Sequence, residues 1–198
     1  MDFRLLIVIM MSAALVNNYV LSQFLGVCPF LGVSKDLKSS VGMGLAVVFV
    51  MLMAASVTWP IQMFILDPNG LGFMQTVVFI LVIATLVQLV EIVLKRHIPA
   101  LYASLGVYLP LMTTNCAVLA VTISNINNHY TFIQAVTSAL GGGLGFLLAM
   151  VIFTGIRGQT EAADPPEAFK GVPITLISAA ILSIAFFGFT GVIENLFG

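Results

Sequence analysis

Six stretches of mostly apolar residues, at about 4–26, 41–66, 73–94, 99–124, 131–156 and 172–196, alternate with short polar breaks along the chain. About 20 apolar residues, each rising about 1.5 Å in a helix, cross a hydrocarbon core about 30 Å thick. The pattern therefore predicts an all-α integral membrane protein with six transmembrane helices. The breaks carry turn and stop chemistry: Lys35-Asp36-Leu37-Lys38, Asp67-Pro68-Asn69-Gly70, Lys95-Arg96-His97 before Pro99, a polar hinge from Asn125 to His129, and Gly158 to Lys170 with Asp164-Pro165-Pro166 as the longest loop. Residues 1–198 read as one membrane domain.

Two of the six stretches are not uniformly apolar. The first holds Asn17-Asn18-Tyr19, Ser22-Gln23 and Leu25-Gly26-Val27-Cys28-Pro29-Phe30-Leu31-Gly32; the fourth holds Gly106 and Leu109-Pro110-Leu111-Met112-Thr113-Thr114-Asn115-Cys116-Ala117. Proline deletes a backbone donor, and non-helical backbone at membrane depth persists only where protein or a cavity covers it. Spans one and four are therefore expected to be broken helices. Gly42-Met43-Gly44-Leu45 and Met51 in the second span are echoed by Gly141-Gly142-Gly143-Leu144 and Met150 in the fifth. That echo suggests two three-span halves, 1–96 and 97–198, and an odd span count makes the second inverted relative to the first. Close glycine packing of helices is the alternative source of the same pattern.

Composition agrees with the pattern. The 198 residues are 60% hydrophobic and 8% charged, against about 25% charged in soluble domains, and the mean hydropathy is +1.14. Lipid is the expected solvent. The net charge of −1 lacks the basic footprint of a nucleic-acid binder. Met1-Asp2-Phe3-Arg4 is no basic signal-peptide start, so the first apolar segment is expected to be retained. With six spans, Lys35, Lys38, Lys95, Arg96, Arg157 and Lys170 fall on one side and only Arg4 on the other. The positive-inside rule then places both termini on the non-cytoplasmic side and argues against dual topology.

The two cysteines, Cys28 and Cys116, are too few for a disulfide scaffold. A thiol in apolar surroundings is by default a small buried hydrophobe. Soft thiolates also suit iron–sulfur clusters, zinc and copper(I), and an inverted repeat would bring these two together. Iron–sulfur clusters take four cysteines in the common case, so a second, oppositely oriented chain would have to supply the other pair.

Val16-Asn17-Asn18, the run Phe24-Leu25-Gly26-Val27-Cys28-Pro29-Phe30-Leu31-Gly32-Val33-Ser34-Lys35 and the run from Leu109 to Leu119 resemble the A-type membrane proteins of the Rnf electron-transport complexes, and also the E-type protein of the sodium-translocating NADH:quinone oxidoreductase. The likeness continues through Gly155-Ile156-Arg157, Asp164-Pro165, Phe169-Lys170-Gly171 and Phe187-Gly188-Phe189-Thr190-Gly191. Cys-Pro-Phe and the paired asparagines favour the Rnf A type. The resemblance implies that Cys28 and Cys116 supply half the ligands of one [2Fe–2S] cluster. The related, oppositely oriented E-type subunit of the Rnf complex supplies the other half. It implies a multi-subunit translocase in the bacterial or archaeal cytoplasmic membrane. Such a complex passes electrons between ferredoxin and NAD⁺ and couples this to Na⁺ or H⁺ movement, with flavins on other subunits. This chain itself shows no nucleotide fingerprint, and its glycine run at 141–145 lies within a span, where it reads as packing.

Other polar residues are candidates for an ion path or a second shell. Gly26 and Asn115 are expected to offer donors to the cysteine sulfurs. Asn17, Asn18, Gln23, Thr113, Thr114 and Asn115 carry hard oxygens that could ligate sodium or cap broken helices. Glu91, one turn after Gln88, is a membrane carboxylate and a functional candidate by default; an interfacial pair with Lys95 is the plainer reading. His97 and His129 read as loop residues, Trp59 beside Pro60 as packing, and the ten methionines as core or lipid-facing. The competing functions are the quinone-reducing complex, an inverted-repeat secondary transporter, and a scaffold for other redox subunits.

Overall fold

A computed structural model describes residues 3–34, 37–97, 115–163 and 166–188. Thr113 and Thr114, the first half of the fourth apolar stretch and the end of the sixth lie outside these residues. Among the described residues all regular structure is helical: α1 (Phe3–Met11), α2 (Val27–Val33), α3 (Leu37–Ile61), α4 (Gln75–His97), α5 (Cys116–Asn127), α6 (Phe132–Ala162) and α7 (Val172–Phe187). Three apolar helical stretches, Leu37–Leu66, Gly72–Val93 and Phe132–Thr160, are long enough to cross a membrane, and Arg4–Val16, Cys116–Asn127 and Val172–Phe187 are shorter apolar helices.

Several boundaries differ from the sequence reading. Helix α3 starts at Leu37, so Lys38 stands in its first turn and not in a loop. Helix α6 continues to Ala162, well into the expected loop. Gln159, Thr160 and Ala162 tolerate helix, the Thr160 hydroxyl donates to the Ile156 carbonyl at 2.8 Å, and Ala163 is the C-cap. His97 is the last residue of α4, whereas His129 does occupy a turn, with φ of 52°.

The core forms where α3 and α6 lie against each other. Both present small residues to the contact. A Cβ on Gly44 would come within 3.0 Å of Leu147, and a Cβ on Gly143 within 2.9 Å of the Val48 Cα. A shift of 99 residues carries Gly44 onto Gly143 and Val48 onto Leu147. The two close approaches are therefore the same contact read from either helix. The same shift carries buried Met43, Val47, Met51 and Ala54 onto buried Gly142, Phe146, Met150 and Phe153. Ser40 and Thr154 share a buried hydroxyl–hydroxyl bond of 2.8 Å, which satisfies two groups that apolar surroundings would otherwise penalise.

The remaining glycines of the run seat a second helix. Cβ atoms on Gly141 and Gly145 would lie 2.6 Å from the Met10 and Ala14 carbonyl oxygens. Two glycines four apart thus meet two α1-side carbonyls four apart, backbone to backbone, as small residues permit in membranes. Gly142 faces the Tyr19 ring and Val121. At the opposite edge the Trp59 indole donates to the Tyr130 carbonyl at 2.8 Å and meets the Phe132 ring edge-on at 5.6 Å. This ties the end of α3 to the α5–α6 turn. Trp59→Phe keeps the ring contact and strands that carbonyl. It should cost about 1 kcal/mol, read as a thermal midpoint in detergent lower by about 2–4 °C.

Candidate functional site

The first apolar stretch breaks as expected. After α1 the chain widens into a π turn, Ser12–Val16, closed by the Asn17 N–H on the Ser12 carbonyl at 2.8 Å, and residues 17–26 then run through turns until α2. Asn18, 1% exposed, holds this break. Its Oδ1 accepts from the Val20 and Leu21 N–H groups at 3.0 and 3.3 Å. Its Nδ2 donates to the Ala14 and Gly145 carbonyls at 3.1 and 2.9 Å. With its oxygen so engaged, Asn18 works as a backbone cap. The Ser183 hydroxyl donates to the Leu21 carbonyl and secures the same segment to α7.

The break ends at Gly26, whose φ of 79° is left-handed and favours a residue without Cβ. A Cβ there would also lie 3.0 Å from Asn115 Oδ1 and 3.1 Å from the Ala117 Cβ. Helix α2 follows with Cys28 and buried Pro29 in its first turn, where a missing N–H costs little because that N–H has no intrahelical acceptor. The far end of α2 is held by Arg157, whose guanidinium donates to the Leu31 carbonyl at 2.9 Å and the Ser34 hydroxyl at 3.0 Å. Sequence reasoning counted Arg157 only as a positive charge. The signal it lacked was the orphan carbonyls that a seven-residue helix must leave.

Helix α5 begins the same way. Asn115, in an extended conformation (φ −70°, ψ 109°), caps it by accepting the Ala117 N–H at 3.0 Å, and Cys116 is its first residue. At this point the two cysteine segments meet. The Gly26 N–H donates to Cys116 Sγ at 2.8 Å, across 90 residues of sequence, and Cys28 stands two residues further on. Both thiols are free and exposed, so this chain does not seal them. Among the described residues no three His, Cys, Asp or Glu side chains come together. Two thiols are thus what the described residues offer a metal centre here. The donor set fits one: two soft ligands outside any disulfide and a backbone N–H already turned to one sulfur.

The other candidate residues separate. Asn17 and Gln23 line a cavity of about 240 Å³ together with Ser12, Tyr19, Ser124, Asn128, Tyr130 and Ser138, a polar hollow between the broken first stretch and the α5–α6 turn. Glu91 is half-buried on α4, four residues before exposed Lys95, and is not among the residues that line the cavity. Nothing in the sequence pattern announced the cavity, because its lining comes from four separate segments.

Comparison with known proteins identifies the family. A family model described as "Rnf-Nqr subunit, membrane protein" matches residues 6–193. The chain is 56% identical over 186 residues to the A-type component of the Na(+)-translocating ferredoxin:NAD(+) oxidoreductase complex of Acetobacterium woodii, covering 94% of this chain and 97% of that protein. It is 50% identical to the A-type component of the ion-translocating oxidoreductase complex of Syntrophotalea carbinolica, over 96% of this chain and 98% of that one. The corresponding protein of Yersinia enterocolitica is 47% identical, over 95% and 97% of the two chains. The match spans nearly every residue from α1 to beyond α7, both cysteines included, and the chain belongs to the Rnf-Nqr family of membrane subunits.

Proposed function

We propose that this chain is the A-type membrane component of an Rnf ion-translocating ferredoxin:NAD⁺ oxidoreductase. In this reading Cys28 and Cys116 provide two of the four ligands of a [2Fe–2S] cluster, and an oppositely oriented E-type subunit provides the other two. The observation that carries the reading is the Gly26 N–H bond to Cys116 Sγ, which brings two cysteine segments 90 residues apart to one place. A bound cluster supplies a one-electron way station that divides a crossing of about 30 Å into shorter steps.

The chain's own residues account for the setting. Asn18 holds the break at residues 17–26, Asn115 caps the Cys116 helix, Gly26 lets the segments touch, and Arg157 fixes the end of the Cys28 helix. The reciprocal Gly44–Leu147 and Gly143–Val48 contacts support two inverted halves, since a two-fold relation makes residue i meet j wherever j meets i. Six spans with both termini on the non-cytoplasmic side complete the topology. The polar cavity lined by Asn17 and Gln23 offers hydrated surface on which a translocated Na⁺ or H⁺ could be received.

The test is spectroscopic. The complex purified with this chain and its E-type partner should show, in visible absorption and EPR, a [2Fe–2S] signal absent from the soluble subunits alone. If the membrane part adds no iron signal, the relay reading fails, and transport or scaffolding takes its place.

A further inference from the structure

The described residues leave four buried side-chain atoms without a hydrogen-bond partner: Gln62 Oε1, Gln75 Nε2, Asn115 Nδ2 and Asn125 Oδ1. Of these, only Asn115 Nδ2 belongs to a residue that adjoins a cysteine. Asn115 is 4% exposed, and a buried N–H without an acceptor forfeits its bond to water with nothing in return. Native structures leave few such groups, and each calls for a reason.

The amide cannot turn to relieve this. Its Oδ1 is engaged by the Ala117 N–H at 3.0 Å, and exchanging the two ends of the amide would set an N–H against an N–H and leave α5 uncapped. The orientation is therefore fixed by the helix it starts. The amide is also pinned between the two cysteine segments. A Cβ on Gly26 would lie 3.0 Å from its oxygen, while the Gly26 N–H itself reaches Cys116 Sγ. A fixed, buried donor on the residue before Cys116 is matched to an acceptor that arrives with the metal.

We propose that Asn115 Nδ2 donates to a sulfur of the bound cluster and sets how readily it accepts an electron. The inference rests on the cluster reading above and names a positioning and tuning residue within it. A donor to sulfur stabilises the reduced, more negative state over the oxidised one. Gly26 N–H is the first such donor and Asn115 the second. A hydrogen bond to a charged group is stronger than one between neutral partners. If most of it is realised in only one redox state, its removal alters the ratio of reduced to oxidised cluster about tenfold.

The experiment uses the assembled complex carrying asparagine labelled with ¹⁵N at the side-chain amide. Pulsed EPR of the reduced membrane cluster should show a ¹⁵N coupling in the wild type. Asn115→Ser, which keeps an oxygen to cap α5, should retain the cluster and lose that coupling. At a fixed ambient potential its reduced fraction relative to oxidised should fall about tenfold, equivalent to about 59 mV for one electron. A wild-type cluster signal with no side-chain ¹⁵N coupling overturns the assignment and leaves the cluster reading intact, whether or not the variant assembles. An unchanged potential in Asn115→Ser overturns it equally. A wild-type complex with no membrane cluster signal removes both.

Discussion

Cys28→Ser and Cys116→Ser are each expected to erase the membrane [2Fe–2S] signal of the assembled complex. Ferredoxin-driven NAD⁺ reduction should fall by more than about a hundredfold, since even outer-shell changes at metal sites cost about 10–100-fold. A serine oxygen is hard and, in apolar surroundings, stays protonated, where a thiolate is soft and gives up its proton to the metal. The substitution is otherwise mild. Both thiols are exposed and contribute nothing to the buried core, so the chain should reach normal amounts in the membrane and co-purify with its partners. Fold and relay are thereby separated. A wild-type spectrum in either variant would mean that the sulfur is not a ligand, and the account of this chain as an electron relay would end there.

The second large effect concerns folding. Gly141→Ala and Gly145→Ala each place a methyl carbon 2.6 Å from a carbonyl oxygen of the α1 segment, Met10 and Ala14 respectively. Backbone has to move, and overpacking of this kind costs about 1–3 kcal/mol or more. At Gly145 the displacement also pulls its carbonyl from Asn18 Nδ2, now 2.9 Å away, so the break that leads to Gly26 loosens too. Gly155 lies in the same helix with nothing within 4 Å of an added Cβ. There alanine should be neutral or gain up to about 1 kcal/mol from helix propensity. Thermal unfolding in detergent, or the yield of monodisperse protein, compares the three directly. Equal stability of the Gly145 and Gly155 variants would show that α1 does not rest on α6 at backbone contact.

Much of this was legible in the sequence because membranes impose strong rules. Apolar run length marked helices, and glycine, proline and asparagine inside a run marked the break at residues 17–26. The same cues placed the glycine run at 141–145 in helix packing. Three features were not legible. Helix ends were misjudged at Leu37 and Ala162, since charged and polar residues continue a helix as readily as they end one when no proline intervenes. The four hydrogen bonds of Asn18 depend on a carbonyl 127 residues away, which local pattern cannot supply. It therefore stood as either an ion ligand or a cap of a broken helix, and its oxygen makes the capping bonds. The polar cavity likewise exists only once four segments are folded together. The two cysteines were singled out by chemistry, but the contact that unites their segments is a backbone N–H, a group every residue but proline carries.

The α3–α6 seam has a further consequence for how this chain tolerates change. Each of those helices finds its principal complement in the other, through contacts that repeat at a 99-residue interval. The two helices are thus joined as the protomers of a homodimer are, with a peptide linkage in place of an association equilibrium. Held in one chain, they are free to diverge without losing each other. At the glycines that seat α1 the match is still close, Gly141 and Gly145 corresponding to Gly42 and Ala46, and the divergence falls at Gly142 and Phe146, matched by Met43 and Val47. Joining them in one chain also fixes their stoichiometry: each α3 always has one α6 to pack against, at any concentration of the protein.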